Sequence, residues 1–331
     1  MIHTAEDPRE RQLPGALVGL DLGGSGSRLA VLPSGGGRRR VLDGPRIEVR
    51  AGGSSAPQVI REMLSHAMTS WPEETSRLSG VGIGASGLAS LVQDPQELAV
   101  QLRAELGTPT AIAIDAVTAH LGALGEAGGA VVALGTGAIA ISHPGMEAAV
   151  DDHAWRRVDG WGHLLGDRGG GAWLGRYGLE AAMRAYDGVD PRGHALLATA
   201  RHRFGEPESW PAQLYTRHDR AGVLAEFAAE VVAVAVRGDE TARDLVRAAG
   251  REAAKSGLAA LGEDVPAQLV LTGGLVGAGP LLSEAFAEEV AHQRADVLIG
   301  EALGDPLEGS LSLARLHARG VLKPQEGYVW S

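Results

Sequence analysis

Residues 16–32 read ALVGLDLGGSGSRLAVL. An apolar run, Ala16–Leu22, ends in the turn Gly23-Gly24-Ser25-Gly26-Ser27, and residues 28–32 resume it, which predicts two strands joined by a tight turn. Residues 130–134, Gly135-Thr136-Gly137 and residues 138–142 repeat the arrangement of strand, glycine-hydroxyl turn and strand. Two such units suggest a duplicated architecture. Between them, residues 57–70 set Val59, Met63, Leu64 and Ala67 at helical spacing. Residues 80–83 and 111–114 are short apolar runs suited to strands covered on both faces. Beyond residue 165 the pattern turns helical: 172–186 and 223–261 carry apolar residues every three or four positions, with Gly238 or Gly257 as the break. A strand over 268–271 then enters Thr272-Gly273-Gly274, Pro280 opens a helix over 281–290, and a last helix falls over 307–316. The fold class is α/β, and no Pro/Ser-rich linker divides it.

A chain of 331 residues suits about two domains of ~150 residues each. Its 44% hydrophobic content supports real cores. Glycine, at 48 residues, is roughly twice as common as the usual ~7%, and without a Gly-X-Y period it points to loops with demanding geometry. Net charge is −11 and Arg38-Arg39-Arg40 is the one basic run, so no nucleic-acid partner is expected. Zero cysteines exclude disulfides, iron–sulfur clusters and thiolate zinc sites. Residues 1–15 lack the apolar core of a signal peptide, and no run approaches the ~18 apolar residues that span a membrane. A cytoplasmic protein without a membrane partner is expected.

Binding phosphate without a lysine needs backbone N–H groups close to the anion, together with hydroxyl donors. Residues 23–27, with Ser25 and Ser27, and Gly135-Thr136-Gly137 both meet that need. Either alone suits an ordinary hairpin turn; together they favour a nucleotide held by two loops. Gly82-x-Gly84-x-x-Gly87, with Glu105 beyond it, matches the dinucleotide fingerprint, but chance matches are common in so glycine-rich a chain. No Gly-x-x-x-x-Gly-Lys-Ser/Thr loop exists.

Three carboxylates stand where chemistry could use them. Asp115 ends an apolar strand and begins a helix over 116–124, so it is either an N-cap or a ligand-facing group at the carboxyl edge of a sheet. Asp21 lies in the strand before the first glycine loop with no helix to cap, a place suited to positioning Mg²⁺, directly or through water. Asp167 is the third, and it too could cap the helix that follows. No histidine pair has metal-site spacing, and His163 is expected to satisfy a local hydrogen bond.

Five segments now occur in order: residues 19–27 (GLDLGGSGS), Asp115-Ala116, Gly135-Thr136-Gly137, residues 160–167 (GWGHLLGD) and Thr272-Gly273-Gly274. They resemble the N-acetylglucosamine kinases and BadF/BadG-type ATPases of the hexokinase–actin superfamily. The match spans nearly the whole chain, and GWGHLLGD is its most specific element. The resemblance implies two RNase H-like domains around a nucleotide- and sugar-binding cleft: 1–115, completed by a C-terminal helix over 306–320, and 116–305 with helical insertions.

It also implies the roles. Gly23, Gly24, Ser25, Gly26 and Ser27 form the first phosphate loop, with Asp21 near Mg²⁺. Gly135, Thr136 and Gly137 form the second loop, and Gly273 and Gly274 flank the adenosine of ATP. Asp115 is the catalytic base, and Ser86, Gly87, Asp115, Gly160, Trp161, Gly162 and Asp167 line the sugar. Two positions depart from the animal N-acetylglucosamine kinases: Ile139 replaces an asparagine after the GTG loop, and Gly53-Ser54-Ser55-Ala56 replaces a serine-threonine-asparagine turn. The family branch that activates dehydratases through a cysteine-bound iron–sulfur cluster is excluded. The expected activity is ATP-dependent phosphorylation of an amino sugar, most naturally N-acetylglucosamine at its 6-hydroxyl, by a homodimer. Glucosamine, glucose, another hexose, or a nucleotide-dependent sensor without kinase activity are the alternatives.

Overall fold

A computed structural model describes residues 13–23, 26–35, 37–50, 53–88, 94–148 and 154–331. They form two compact units: one from within 1–128, 143–155 and 302–331, the other from 129–142 and 156–301.

In the first unit, β1 (Ala16–Leu22), β2 (Ser27–Leu32) and β3 (Arg40–Gly44) form an antiparallel meander. Then β6 (Leu78–Ala85) joins β1 and β7 (Thr110–Ile114) joins β6, both parallel. The short β13 (Val329–Trp330) closes the far edge, giving the order β13-β7-β6-β1-β2-β3. A small ribbon, β4 (Val49–Arg50) with β5 (Gly53–Ser54), leads into helix α1 (Ala56–Ser70), followed by α2 (Pro72–Thr75). Helices α3 (Pro95–Leu106) and α4 (Asp115–Leu124) bracket β7.

The last helix, α11 (Pro306–Ala318), lies on one face of this sheet, where Leu17, Ala30, Leu307, Leu311 and Ala314 form a core cluster. Ser310 Oγ donates to the Leu20 carbonyl at 2.7 Å. The approach is very close. A Cβ on Gly82 would come within 2.2 Å of the Ser310 carbonyl, and one on Gly84 within 2.2 Å of Thr118 Oγ1. The first two glycines of the dinucleotide-like fingerprint, Gly82 and Gly84, are therefore strand residues on which α11 and α4 pack, and Gly87 lies in the turn beyond β6 at φ 70°.

The second unit repeats the plan. β8 (Gly129–Leu134), β9 (Ala138–His143) and β10 (Arg156–Asp159) are neighbours, and β11 (Gln268–Thr272) and β12 (Leu298–Gly300) extend from β8 in parallel. The order β10-β9-β8-β11-β12 matches β3-β2-β1-β6-β7 strand for strand, so the duplication suggested by the two glycine turns is a duplication of topology.

Helices α5 (Gly171–Tyr186), α6 (His194–Phe204), α7 (Trp210–Tyr215), α8 (Arg220–Val236), α9 (Glu240–Ala260) and α10 (Pro280–Gln293) complete the unit. Its core includes Leu134, Leu174, Phe227, Val231, Leu269 and Phe286. Gly238, at φ 103°, is the break between α8 and α9. Gly257 instead lies buried within α9, where a Cβ would meet Val132 and Leu269 of the sheet.

The sequence boundary at 115/116 falls one residue into α4. Helix α4 packs closely on α11: a Cβ on Gly309 would come within 1.8 Å of the Thr118 carbonyl. It therefore stays with the first unit, which runs on to residue 128.

Candidate active site

Three parallel strands of the first sheet, β7, β6 and β1, end side by side, and a polar group follows or closes each: Asp115, Ser86 and Asp21. This carboxyl edge is where α/β sheets place ligands. Asp115 is the first residue of α4, not its N-cap, which is Ile114. Its carboxylate accepts hydrogen bonds from the Ser86 side chain and the Ala116 backbone. Burial pushes the Asp115 carboxyl above the ordinary range, and the charge of Asp21 adds to the rise against those hydrogen bonds. A carboxylate raised this way is a better proton acceptor than a free aspartate.

Asp21 is also pushed up, chiefly by burial, with Asp305 adding and Arg28 opposing. The Arg28 guanidinium bridges Asp21 at 3.0 Å and Asp305 at 2.8 Å. Asp305 is the N-cap of α11, accepting from Glu308 N at 3.0 Å, so the network ties the last helix to the β1–β2 edge. Arg28 shares a face with its cross-strand partner Asp21, and Ser27 shares one with Leu22. Ser27 thus points to the opposite face from Asp21, 3% exposed, its hydroxyl without a hydrogen-bond partner among the described residues. The first loop is closed by Gly23 N donating to the Gly26 carbonyl at 3.0 Å. Gly24 and Ser25 lie outside the described residues.

In the second unit, Gly135-Thr136-Gly137 turns between β8 and β9, with Gly135 N donating to the Gly137 carbonyl at 2.9 Å. The first amides of α5, at Gly171 and Ala172, donate to the carbonyls of Gly135 and Thr136 at 2.9 and 2.8 Å. With its carbonyls so engaged, the loop turns its open side elsewhere. A Cβ on Gly135 or on Gly274 would meet nothing within 4 Å, the kind of uncovered backbone that a phosphate or ribose can approach. Gly273, at φ 105°, sits against Leu134, whose carbonyl also accepts from Leu275 N at 3.1 Å. The Thr272-Gly273-Gly274 turn and the GTG loop are therefore neighbours at the carboxyl ends of β11 and β8.

The GWGHLLGD segment folds back between two aspartates. Asp159, at the end of β10, is 5% exposed and accepts from Asp167 N and Arg168 N, both at 2.8 Å. Asp167 Oδ1 accepts from Gly162 N at 3.0 Å, and its carboxylate lies where a Cβ on Gly137 would come within 2.5 Å. It is not a helix cap: the N-cap of α5 is Gly170. Gly160 lies against Ile139, so the residue that departs from the asparagine pattern presents an apolar branch to the loop. Trp161, Leu164 and Leu165 are 62%, 72% and 77% exposed, and the Arg157 guanidinium lies over the Trp161 ring at 4.3 Å. His163 is pushed toward the neutral form by partial burial, then by Arg220 and Arg176.

The structure thus gathers Asp21, Ser86 and Asp115 at one edge, and Gly135, Thr136, Gly137, Gly273, Gly274, Gly160, Gly162 and Asp167 at the corresponding edge of the second sheet. Sequence reading missed Arg28, Asp305 and Asp159. Arg28 was legible as the lone cation in an apolar strand, and Asp305 as the residue before a helix-opening proline. Asp159 gave no signal. No three His, Asp or Glu side chains cluster as a metal cage among the described residues. Asp21 offers one partly buried carboxylate oxygen donor, a ligand type that suits a Mg²⁺ drawing most of its ligands from elsewhere.

The family model for BadF/BadG/BcrA/BcrD ATPases matches residues 18–307, which takes in every motif above. The chain belongs to that ATPase family. Among solved structures, this family member resembles a protein of Chromobacterium violaceum named a "putative N-acetylglucosamine kinase", at 26% identity, covering 90% of this chain and 98% of that one, with a TM-score of 0.69. A second, of the same description from Porphyromonas gingivalis, shares 17% identity over 91% and 98% of the two chains, TM-score 0.64. A ROK family glucokinase from Streptomyces griseus, solved with glucose and AMPPNP, shares 18% over 91% and 99%, TM-score 0.56. The last two establish the hexokinase–actin-like fold alone. The comparison with curated proteins returned no match. No helix among the described residues is long and apolar enough to cross a membrane.

Proposed function

We propose that this chain is a cytoplasmic ATP-dependent sugar kinase whose acceptor is an amino sugar, N-acetylglucosamine first, at its 6-hydroxyl. The observation that carries the reading is Asp115: a carboxylate at the carboxyl end of β7, held by Ser86 and raised by burial, in a member of an ATPase family. Phosphoryl transfer asks mainly for positioning and charge neutralisation. The GTG loop and Gly274 offer uncovered backbone for ATP, and Mg²⁺, when bound, would neutralise phosphate charge beside Asp21. Asp115 accepts the proton of the attacking hydroxyl. Asp167 accepts hydrogen bonds from ring hydroxyls, and a site built that way rejects sugars lacking them.

The likeness to the Chromobacterium violaceum protein favours an amino sugar. Ile139 favours an acyl group packed against an apolar branch over one hydrogen-bonded to an amide, a difference worth ~1–3 kcal/mol in selectivity. The test is ADP release with N-acetylglucosamine, glucosamine, glucose, N-acetylmannosamine and glycerol. The expected outcome is sugar-dependent release, with N-acetylglucosamine preferred about ten- to a hundred-fold in kcat/KM. Release indifferent to every sugar would leave a nucleotide-dependent sensor, and release with glycerol alone would end the amino-sugar reading.

A further inference from the structure

We infer that Asp159 is a positioning residue for substrate recognition: its buried carboxylate holds Asp167 in place, an inference that rests on the sugar reading of the Gly160–Asp167 loop.

The argument begins with cost. A carboxylate that is 5% exposed has lost its water and persists only if donors replace it. Asp159 has them: Oδ1 takes the Asp167 amide and Oδ2 the Arg168 amide, each at 2.8 Å. The Arg168 guanidinium adds a longer contact at 3.8 Å. Hydrogen bonds to an ionised acceptor are the strong kind. The backbone at Asp159 is left-handed, φ 63°, as it is at Asp167, φ 54°, and these are the two positive-φ residues other than glycine among the described residues. Side-chain-bearing residues rarely adopt that conformation, and where they do the surroundings over-determine it.

The loop is built around this contact. A Cβ on Gly166 would come within 2.1 Å of Asp159 Oδ1, so the residue before Asp167 has to be glycine for the carboxylate to reach the amides. Held there, Asp167 turns its own carboxylate back to Gly162 N and against Gly137. The chain of contacts therefore runs from the end of β10, through Asp159, to the carboxylate assigned to the sugar and on to the GTG loop. A fixed acceptor recognises hydroxyls better than a mobile one because its ordering cost is met before the ligand arrives. A loop that carries Trp161, Leu164 and Leu165 largely exposed has few buried apolar contacts of its own to fix it, which leaves the fixing to hydrogen bonds, and those of Asp159 are the ones that reach it from β10.

Two variants separate the claim from a folding defect. Asp159→Gly removes the carboxylate while suiting the left-handed backbone. Asp159→Asn keeps the shape and tolerates that backbone, but its amide faces a backbone N–H with another N–H. In both, hydrogen exchange at the Asp167 and Arg168 amides is expected to quicken by roughly ten-fold or more. The sugar KM should rise by a similar factor while the ATP KM holds within about two-fold. Unchanged exchange at those amides, or sugar and ATP KM rising together, would overturn the inference. Quickened exchange with an unmoved sugar KM would also overturn it, leaving Asp159 a loop closure only. Should the wild-type protein turn over no sugar, the kinase reading fails on its own, and exchange then decides whether Asp159 holds Asp167.

Discussion

At the carboxyl edge of the first sheet, Asp115 takes the Ser86 side chain together with the Ala116 amide, Asp21 takes the Arg28 guanidinium, and burial raises both carboxyls. At the matching edge of the second, Asp159 and Asp167 engage backbone amides of residues 162, 167 and 168. The strand order is the same, and the residues on it do different work. A carboxylate held by a hydroxyl and raised by burial takes up a proton more readily than a free aspartate. One that closes a loop through amide donors serves as a fixed acceptor. Duplicated topology supplies two matching edges, and on the proposed reading the local partners suit one to a base and the other to a recognition surface.

The largest expected effect separates the two kinds. Asp115→Asn should lower kcat by ~10²–10⁴-fold with ATP and sugar binding nearly intact, whereas Asp167→Asn should act mainly on the sugar KM. If steady-state kinetics show the two variants failing in the same way, the distinction between base and acceptor collapses.

A second contrast concerns burial itself. His143, 3% exposed, packs against the rings of His120 and Trp155, and burial pulls its imidazole down to about 4 from the ordinary 6.5. The folded protein holds it neutral, so its contribution is full above pH 6.5 and falls away as pH drops toward 4, by about 3 kcal/mol. Urea unfolding of the wild type and His143→Gln at pH 7.5 and 4 reads this as a difference of differences. Equal acid sensitivity in both would show that the histidine is not held neutral.

Smaller effects sharpen the second edge. Gly135→Ala meets open space and Gly137→Ala meets the Asp167 carboxylate at 2.5 Å. The first should leave the melting temperature alone and raise the ATP KM. The second should raise the sugar KM, each by roughly ten-fold on the cost of one lost charged hydrogen bond. An exchange of those phenotypes would reverse the assignment of the loop's two sides. Smallest of all, Asp115→Asn should be slightly more stable than wild type at neutral pH, because ionising a carboxyl whose folded pKa is raised works against folding. The difference should vanish below about pH 4, where the acid is protonated in both states, and a Tm series against pH reads it.

Much of this was legible beforehand because the signals were local. The runs at 16–22 and 130–134 and their glycine turns are strand and hairpin chemistry, and Asp115 after four apolar residues marks a strand end whatever the fold. What was not legible depends on residues far apart in sequence. Asp159 is one carboxylate in a charged stretch until residues 167 and 168 return to it. Arg28 gains its meaning from Asp305, 277 positions away. The exposed strand β3 and the two-residue β13 carry too little apolar pattern to be read. Ser27 was read as a loop hydroxyl, and cross-strand register turns it to the opposite face from Asp21.

The measurement that tests the central claim most directly is the pH dependence of sugar-dependent kcat/KM for the wild type and for the residual activity of Asp115→Asn. If Asp115 is the base, wild-type activity should fall on the acid side of an apparent pKa above the ordinary aspartate range, because protonation removes the acceptor. The variant should lack that limb. An acid limb of the same position in both proteins, or more than about a tenth of wild-type kcat in the variant, would contradict the account and return Asp115 to the start of a helix with no part in the chemistry.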